Sequence, residues 1–235
     1  MRNKVAPSRV WAYPEDMHAR EMLGRLIDAP SGVDYQHAMY DIGGLLAEKL
    51  YEQNKLDRGS KICIVSTVED ADFLSRGVYD YLKAKDFSLF FVCMWNQRER
   101  VFDGGITVAP IIRSFEQRGY ENCDEMIVVK SIISGSCVVK TNITALFSKI
   151  SPKKIHVVSP VMHEDSEKNL LKEFPKEYSG LFDFQFFAKD NFRDMNTGEI
   201  KPGIGGNVYQ RLGFDDQKDK NKYYPKMVVE FMASV

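Results

Sequence analysis

The run Lys130-Ser131-Ile132-Ile133-Ser134-Gly135-Ser136-Cys137 follows an apolar stretch and precedes a helical pattern. Small residues at such a strand–helix turn let backbone N–H groups approach an anion. The hydroxyls of Ser134 and Ser136 add donors, and Lys130 adds a point charge. The expectation is a phosphate site on Lys130, Ser134, Gly135, Ser136 and Cys137, with a plain turn carrying an N-cap as the alternative. A second stretch, Glu199-Ile200-Lys201-Pro202-Gly203-Ile204-Gly205-Gly206-Asn207, holds three glycines and a proline. That composition implies positive φ angles and close backbone approach, and such a loop can read a flat heterocycle through its main chain. A tight surface loop is the alternative. A third cluster, Glu69, Asp70 and Asp72, crowds the end of another apolar run. Paired carboxylates there could stabilise an oxocarbenium-like transition state, or Asp70 and Asp72 could simply complement the dipole of the next helix.

These segments need elements to hold them. Four short apolar runs dominate the middle of the chain: Lys61-Ile62-Cys63-Ile64-Val65, Leu89-Phe90-Phe91-Val92-Cys93-Met94-Trp95, Met126-Ile127-Val128-Val129 and Ile155-His156-Val157-Val158. They lack alternation and are rich in β-branched and aromatic residues, as are strands of a parallel sheet buried on both faces. Phe182-Asp183-Phe184-Gln185-Phe186-Phe187 alternates and suits a strand nearer an edge. Amphipathic helical spacing fills residues 35–53, 72–85, 141–150 and 164–174. The pattern predicts one α/β domain with a mostly parallel central sheet flanked by helices. In such sheets ligands bind at the carboxyl ends of the strands, which directs attention to residues 66–72, 96–100, 130–137 and 159–165.

The chain has 32 basic and 33 acidic side chains, so it offers no electrostatic footprint for a nucleic-acid backbone. No apolar run is long enough to span a membrane and no signal-peptide core follows Met1, so the expected compartment is the cytoplasm. Cys63, Cys93, Cys123 and Cys137 form no CxxC pair, and His18, His37, His156 and His163 are scattered. Reduced thiols and no metal site are expected, with His156 as a packed or edge-strand histidine.

The 134–136 turn, the Pro202-Gly203-Ile204-Gly205 loop followed by Arg211-Leu212, and the strand order together give a resemblance. The chain resembles the uracil phosphoribosyltransferases of the type I phosphoribosyltransferase fold, over residues 20–214. Tyr35-Gln36-His37-Ala38-Met39-Tyr40-Asp41-Ile42-Gly43-Gly44-Leu45-Leu46 looks like that family's first long helix. Residues 126–160 look like its strand, phosphate loop, helix and next strand. The late loop looks like its Pro-Gly-Leu-Gly-Asp-Ala-Gly-Asp-Arg-Leu. The resemblance implies a base site at Ile200, Pro202, Gly203 and Gly205, a homodimer, and magnesium if donor chemistry operates. It also divides the chain into an N-terminal arm (1–19), the phosphoribosyltransferase-like domain (20–214) and a C-terminal extension (215–235).

The departures from the family are specific. Lys130 stands where the family has an Asp facing the ribose hydroxyls, and a lysine cannot accept their hydrogen bonds. Glu69-Asp70-Ala71 stands where the family's Arg-Ala-Gly holds the pyrophosphate, which turns an attraction into a repulsion. Asn96 replaces a second arginine, leaving Arg98 and Arg100 as the nearest substitutes, and Asn207 occupies the place of the uracil loop's first Asp. The reading is a catalytically idle nucleotide- or nucleobase-binding module, or a structural partner of another protein. Two alternatives stay open: an active uracil phosphoribosyltransferase, and a ribosyl-bond enzyme whose catalytic groups are Glu69, Asp70 and Asn207.

Overall fold

The computed structural model describes residues 7–100, 107–194 and 197–233, with only the backbone of Arg100 and Thr107 described. Its centre is a six-stranded sheet built from β1 (Lys61–Thr67), β2 (Ser88–Asn96), β3 (Ile111–Glu116), β4 (Glu125–Val129), β5 (Lys154–Val158) and β6 (Phe182–Gln185). The order across the sheet is β6-β5-β4-β1-β2-β3, and only the pair β2–β3 is antiparallel. In register, Ile64 of β1 lies between Phe91 of β2 and Ile127 of β4.

Among the described residues eight α-helices accompany it: α1 (Met17–Ile27), α2 (Gly32–Glu52), α3 (Arg76–Ala84), α4 (Cys137–Phe147), α5 (Ser166–Lys172), α6 (Val208–Leu212), α7 (Gln217–Lys222) and α8 (Lys226–Ala233). Alternate residues of each strand face opposite layers, as strand geometry requires. Ile62, Ile64, Phe91 and Trp95 join Leu23, Ile42 and Leu46 in one core, while Cys63, Val65, Val92 and Met94 join Val139, Ile143 and Leu146 in the other. Both faces are therefore covered, which explains the unbroken apolar runs. On the first face α2 and α3 cross so closely that a Cβ on Gly43 would lie 2.1 Å from the Leu74 carbonyl oxygen, and one on Gly77 would lie 2.0 Å from that of Tyr40.

The predicted helices are present with shifted ends. The 35–53 pattern starts earlier, where Ser31 accepts a hydrogen bond from the Asp34 N–H and caps α2. The 72–85 pattern opens as a π-helical turn, Ala71–Ser75, before α3 begins. Asp72 stands in the first turn of that helix and also serves another. Its carboxylate accepts from the Lys226 and Met227 N–H groups at 2.7 and 2.8 Å and so caps α8, and the Tyr223 hydroxyl also donates to it.

Beyond their carboxyl ends, β4, β5 and β6 lead into a smaller sheet of Ile132–Ile133, Val161–His163 and Ala188–Asp190, to which Arg9–Trp11 adds an antiparallel edge. Several aromatic residues near the two ends pack within the chain, while Tyr224 stays exposed. Tyr13 meets Phe187 edge-on, Phe231 stacks on Phe91 and Phe115, and Tyr223 packs on Phe214. Among the described residues no helix is long and apolar enough to cross a membrane. Cys63, Cys93, Cys123 and Cys137 are all free of disulfides.

Candidate functional site

At the carboxyl ends of β1 and β4, opposite charges from neighbouring strands meet. Lys130 directly follows β4, and its ammonium lies 2.6 Å from Asp70 Oδ2 and 3.2 Å from Glu69 Oε1. Asp70 Oδ2 also accepts from the Thr67 hydroxyl at 2.7 Å and the Ser131 N–H at 3.2 Å. From the far end of the chain Lys220 reaches the same place, 3.6 Å from Glu69 Oε2, and donates to the Asn96 carbonyl oxygen at 2.8 Å. All four side chains are buried. Two carboxylates and two ammoniums leave a neutral cluster, the arrangement in which buried charge is tolerated.

The electrostatics follow from that closure. Burial would raise the Glu69 carboxyl, yet the Lys130 and Lys220 ammoniums hold it at about 2. Burial would likewise lower Lys130, but Asp70 and Glu69 keep it above the ordinary lysine value. Lys220 is pulled below that value by burial, against the attraction of Glu69 and with the repulsion of Lys130. Burial, with the charge of Glu69, pushes the Tyr209 phenol up to about 12. Glu69 is thus held ionised, and both it and Asp70 are engaged with cations, which limits what either can do as an acid, base or nucleophile.

A cavity of about 240 Å³ adjoins the cluster, lined by Glu69, Lys130, Ser131, Ile200, Asn207 and Tyr209, among others. A wider cleft of about 880 Å³ lies over the amino end of α4. Ser134, Gly135, Ser136 and Cys137 form its floor, and Arg98, Lys140, Lys172 and Arg193 bring four cations against the single carboxylate of Glu173. Arg193 lies over the turn: a Cβ on Gly135 would be 3.8 Å from its guanidinium. Ser136 makes no side-chain capping bond, and Glu173 pairs with Lys140. Helix-end N–H groups under a basic rim suit a phosphate. Arg98 and Ser134 line both spaces, so one ligand can reach from the cleft into the cavity.

The late glycine loop is folded into the protein more than it faces the cavity. Gly203 (φ 63°) is buried, and its N–H donates to Asp190 Oδ2 at 2.7 Å. Asp190 is in turn held by Arg9 through two bonds of 2.7 Å. At Gly205 (φ 88°) a Cβ would meet the Ile27 carbonyl oxygen at 2.7 Å. Pro202, Gly203 and Gly205 do not line the cavity, whereas Ile200, Gly206 and Asn207 do. Asn207 Oδ1 accepts from the Tyr209 and Gln210 N–H groups and caps α6. Asn96 turns inward, donating to the Ala109 carbonyl and to Asn142 at 3.2 and 2.8 Å. Sequence reasoning did not find Arg193 or Lys220. Arg193 belongs to no motif, and Lys220 lies in the C-terminal extension. Among the described residues no three His, Cys, Asp or Glu side chains converge on a point where a metal ion could sit.

No protein-family model matches the chain, and no curated protein matches it. Among solved structures it is similar to the AQ2163 protein from Aquifex aeolicus, with a TM-score of 0.62 and 14% identity over 86% of this chain and 96% of that one. It is also similar to a hypothetical protein from Neisseria gonorrhoeae with bound ppGpp, at a TM-score of 0.40 and 10% identity over 63% and 77% of the two chains. An adenine phosphoribosyltransferase from Thermoanaerobacter pseudethanolicus follows, at 0.38 and 9% over 62% and 78%. The first of these likenesses, which spans nearly all of both chains, shows a shared α/β fold.

Proposed function

We propose that this protein is phosphoribosyltransferase-like and binds a nucleotide without turning over phosphoribosyl pyrophosphate. The phosphate rests on the 134–137 turn between Arg98 and Arg193, and the nucleoside end points into the smaller cavity. The observation that carries this reading is the Glu69–Asp70–Lys130–Lys220 cluster beside that basic cleft. The groups that stand where the resemblance implies donor recognition are engaged with one another. The cluster offers a pyrophosphate no net positive charge, while the cleft over α4 keeps the means to hold one phosphate. Uridine 5′-monophosphate is the first ligand to try, since the late loop resembles a uracil loop. A homodimer, which the resemblance implies, and a cytoplasmic location, expected because no apolar run is long enough to span a membrane, belong to the same proposal.

Melting the protein with uracil, uridine, uridine 5′-monophosphate and other bases and nucleotides tests the reading. A ligand of the native state raises the melting temperature with concentration, and only the phosphorylated compounds are expected to do so.

A second reading, an active uracil phosphoribosyltransferase assisted by magnesium, is favoured by one observation. Arg98 lines both spaces and could stand in for a lost donor-site cation. Conversion of uracil and phosphoribosyl pyrophosphate to uridine 5′-monophosphate would establish it.

A further inference from the structure

We infer that the C-terminal segment is a working part of the ligand site, with Gln217 as the positioning residue for Arg98. The inference rests on the nucleotide-binding reading above. Among the described residues Arg98 is the one charged side chain that lines both the cleft and the cavity. It stands two residues beyond β2, where the chain leaves the sheet. Its backbone is clamped from α7 at two points: the Arg98 N–H donates to Gln217 Oε1 at 2.7 Å, and Gln217 Nε2 donates to the Arg98 carbonyl oxygen at 3.1 Å.

The clamp is itself anchored. Three residues on, Lys220 is buried against Glu69 and donates to the Asn96 carbonyl oxygen, two residues before Arg98. The Trp95 indole N–H donates to the Tyr223 carbonyl oxygen at 2.9 Å. Asp72 then fixes the start of α8. The segment therefore runs along the exit of β2 and holds residues 95, 96 and 98 in turn. A long exposed arginine contributes to binding only when its backbone is placed for it, because ordering it on binding would otherwise oppose affinity. Gln217 supplies that placement without touching the ligand.

The test is a double-mutant cycle with uridine 5′-monophosphate as the titrant, read by calorimetry on the full chain. Arg98→Ala should weaken binding by about tenfold, the size of one hydrogen bond to a charged group. Gln217→Ala should weaken it by roughly threefold or more in the native background and not at all in the Arg98→Ala background, because residues acting through one contact are not additive. A merely structural role would lower the melting temperature and leave affinity unchanged or additive, and that result would overturn the inference. If Gln217→Ala does not fold, Gln217→Glu replaces it. It keeps the acceptor for the Arg98 N–H and loses the donor to the carbonyl, so weakening that disappears with Arg98→Ala supports the clamp and native affinity contradicts it. Binding that is abolished by Gly135→Asp but indifferent to Gln217 overturns this inference alone. No binding by the unmodified protein overturns it together with the nucleotide reading.

Discussion

Lys130 and Asp70 form a buried ion pair, 2.6 Å apart, across the carboxyl ends of two neighbouring parallel strands. Lys130 and Glu69-Asp70 look in sequence like two separate losses from a donor site. In the fold they belong to one buried cluster in which the charges balance.

Removing one partner should therefore be costly. Lys130→Met leaves Asp70 and Glu69 buried without their nearest cation, and should destabilise the protein by about 3–5 kcal/mol in urea unfolding. A loss below about 1 kcal/mol would mean that water reaches these carboxylates.

Much of the fold was legible because both faces of the sheet are buried. Each of the runs at 61–65, 89–95, 126–129 and 155–158 is a strand, and the alternating run at 182–187 contains the edge strand β6. By contrast, β3 (Ile111–Glu116) is an edge strand with Ile112, Arg113 and Ser114 exposed, so it carries no strong apolar signal. The site was legible only as segments. Its assembly depends on β1 and β4 being neighbours, and on Lys220 and Arg193 arriving from remote parts of the chain, neither of which local spacing encodes.

The α2–α3 crossing separates two adjacent glycine contacts. Gly77→Ala drives a methyl to 2.0 Å from the Tyr40 carbonyl oxygen, backbone against backbone, and should cost about 3 kcal/mol or more. Gly44→Ala meets its nearest atom at 3.9 Å and gains helix propensity, so it should be neutral or stabilising by up to about 1 kcal/mol. Thermal unfolding of the two variants checks the contrast.

His156 gives a pH signature far from the cleft. It lies between Glu125 Oε2, 3.0 Å from Nε2, and Asp183 Oδ2, 3.4 Å from Nδ1, and Lys55 also pairs with Asp183 at 3.0 Å. Burial opposes protonation, but the two carboxylates outweigh it and raise the histidine above 6.5. A raised folded-state value means the stabilisation is complete below the unfolded value near 6.5 and is lost as pH climbs through the folded one. Glu125 and Asp183, lowered by their partners despite burial, lose their contribution as pH falls into the carboxylate range. Urea unfolding across pH should show both limbs, and His156→Gln should flatten the alkaline one.

Purified protein given uracil, phosphoribosyl pyrophosphate and magnesium should form little or no uridine 5′-monophosphate. Glu69→Arg should not restore turnover, since it places a third cation beside Lys130 and Lys220 and leaves Asp70 as the one carboxylate. Turnover by the unmodified protein that is lost in Ser134→Asp would establish the transferase.

Calorimetric titration of uridine 5′-monophosphate into the unmodified protein and into Gly135→Asp is the most direct measurement. Saturable binding to the first and none to the second is expected, because the new carboxylate would stand where the phosphate rests beside Arg193. Equal binding to both proteins, or none to either, would contradict a nucleotide site on the 134–137 turn.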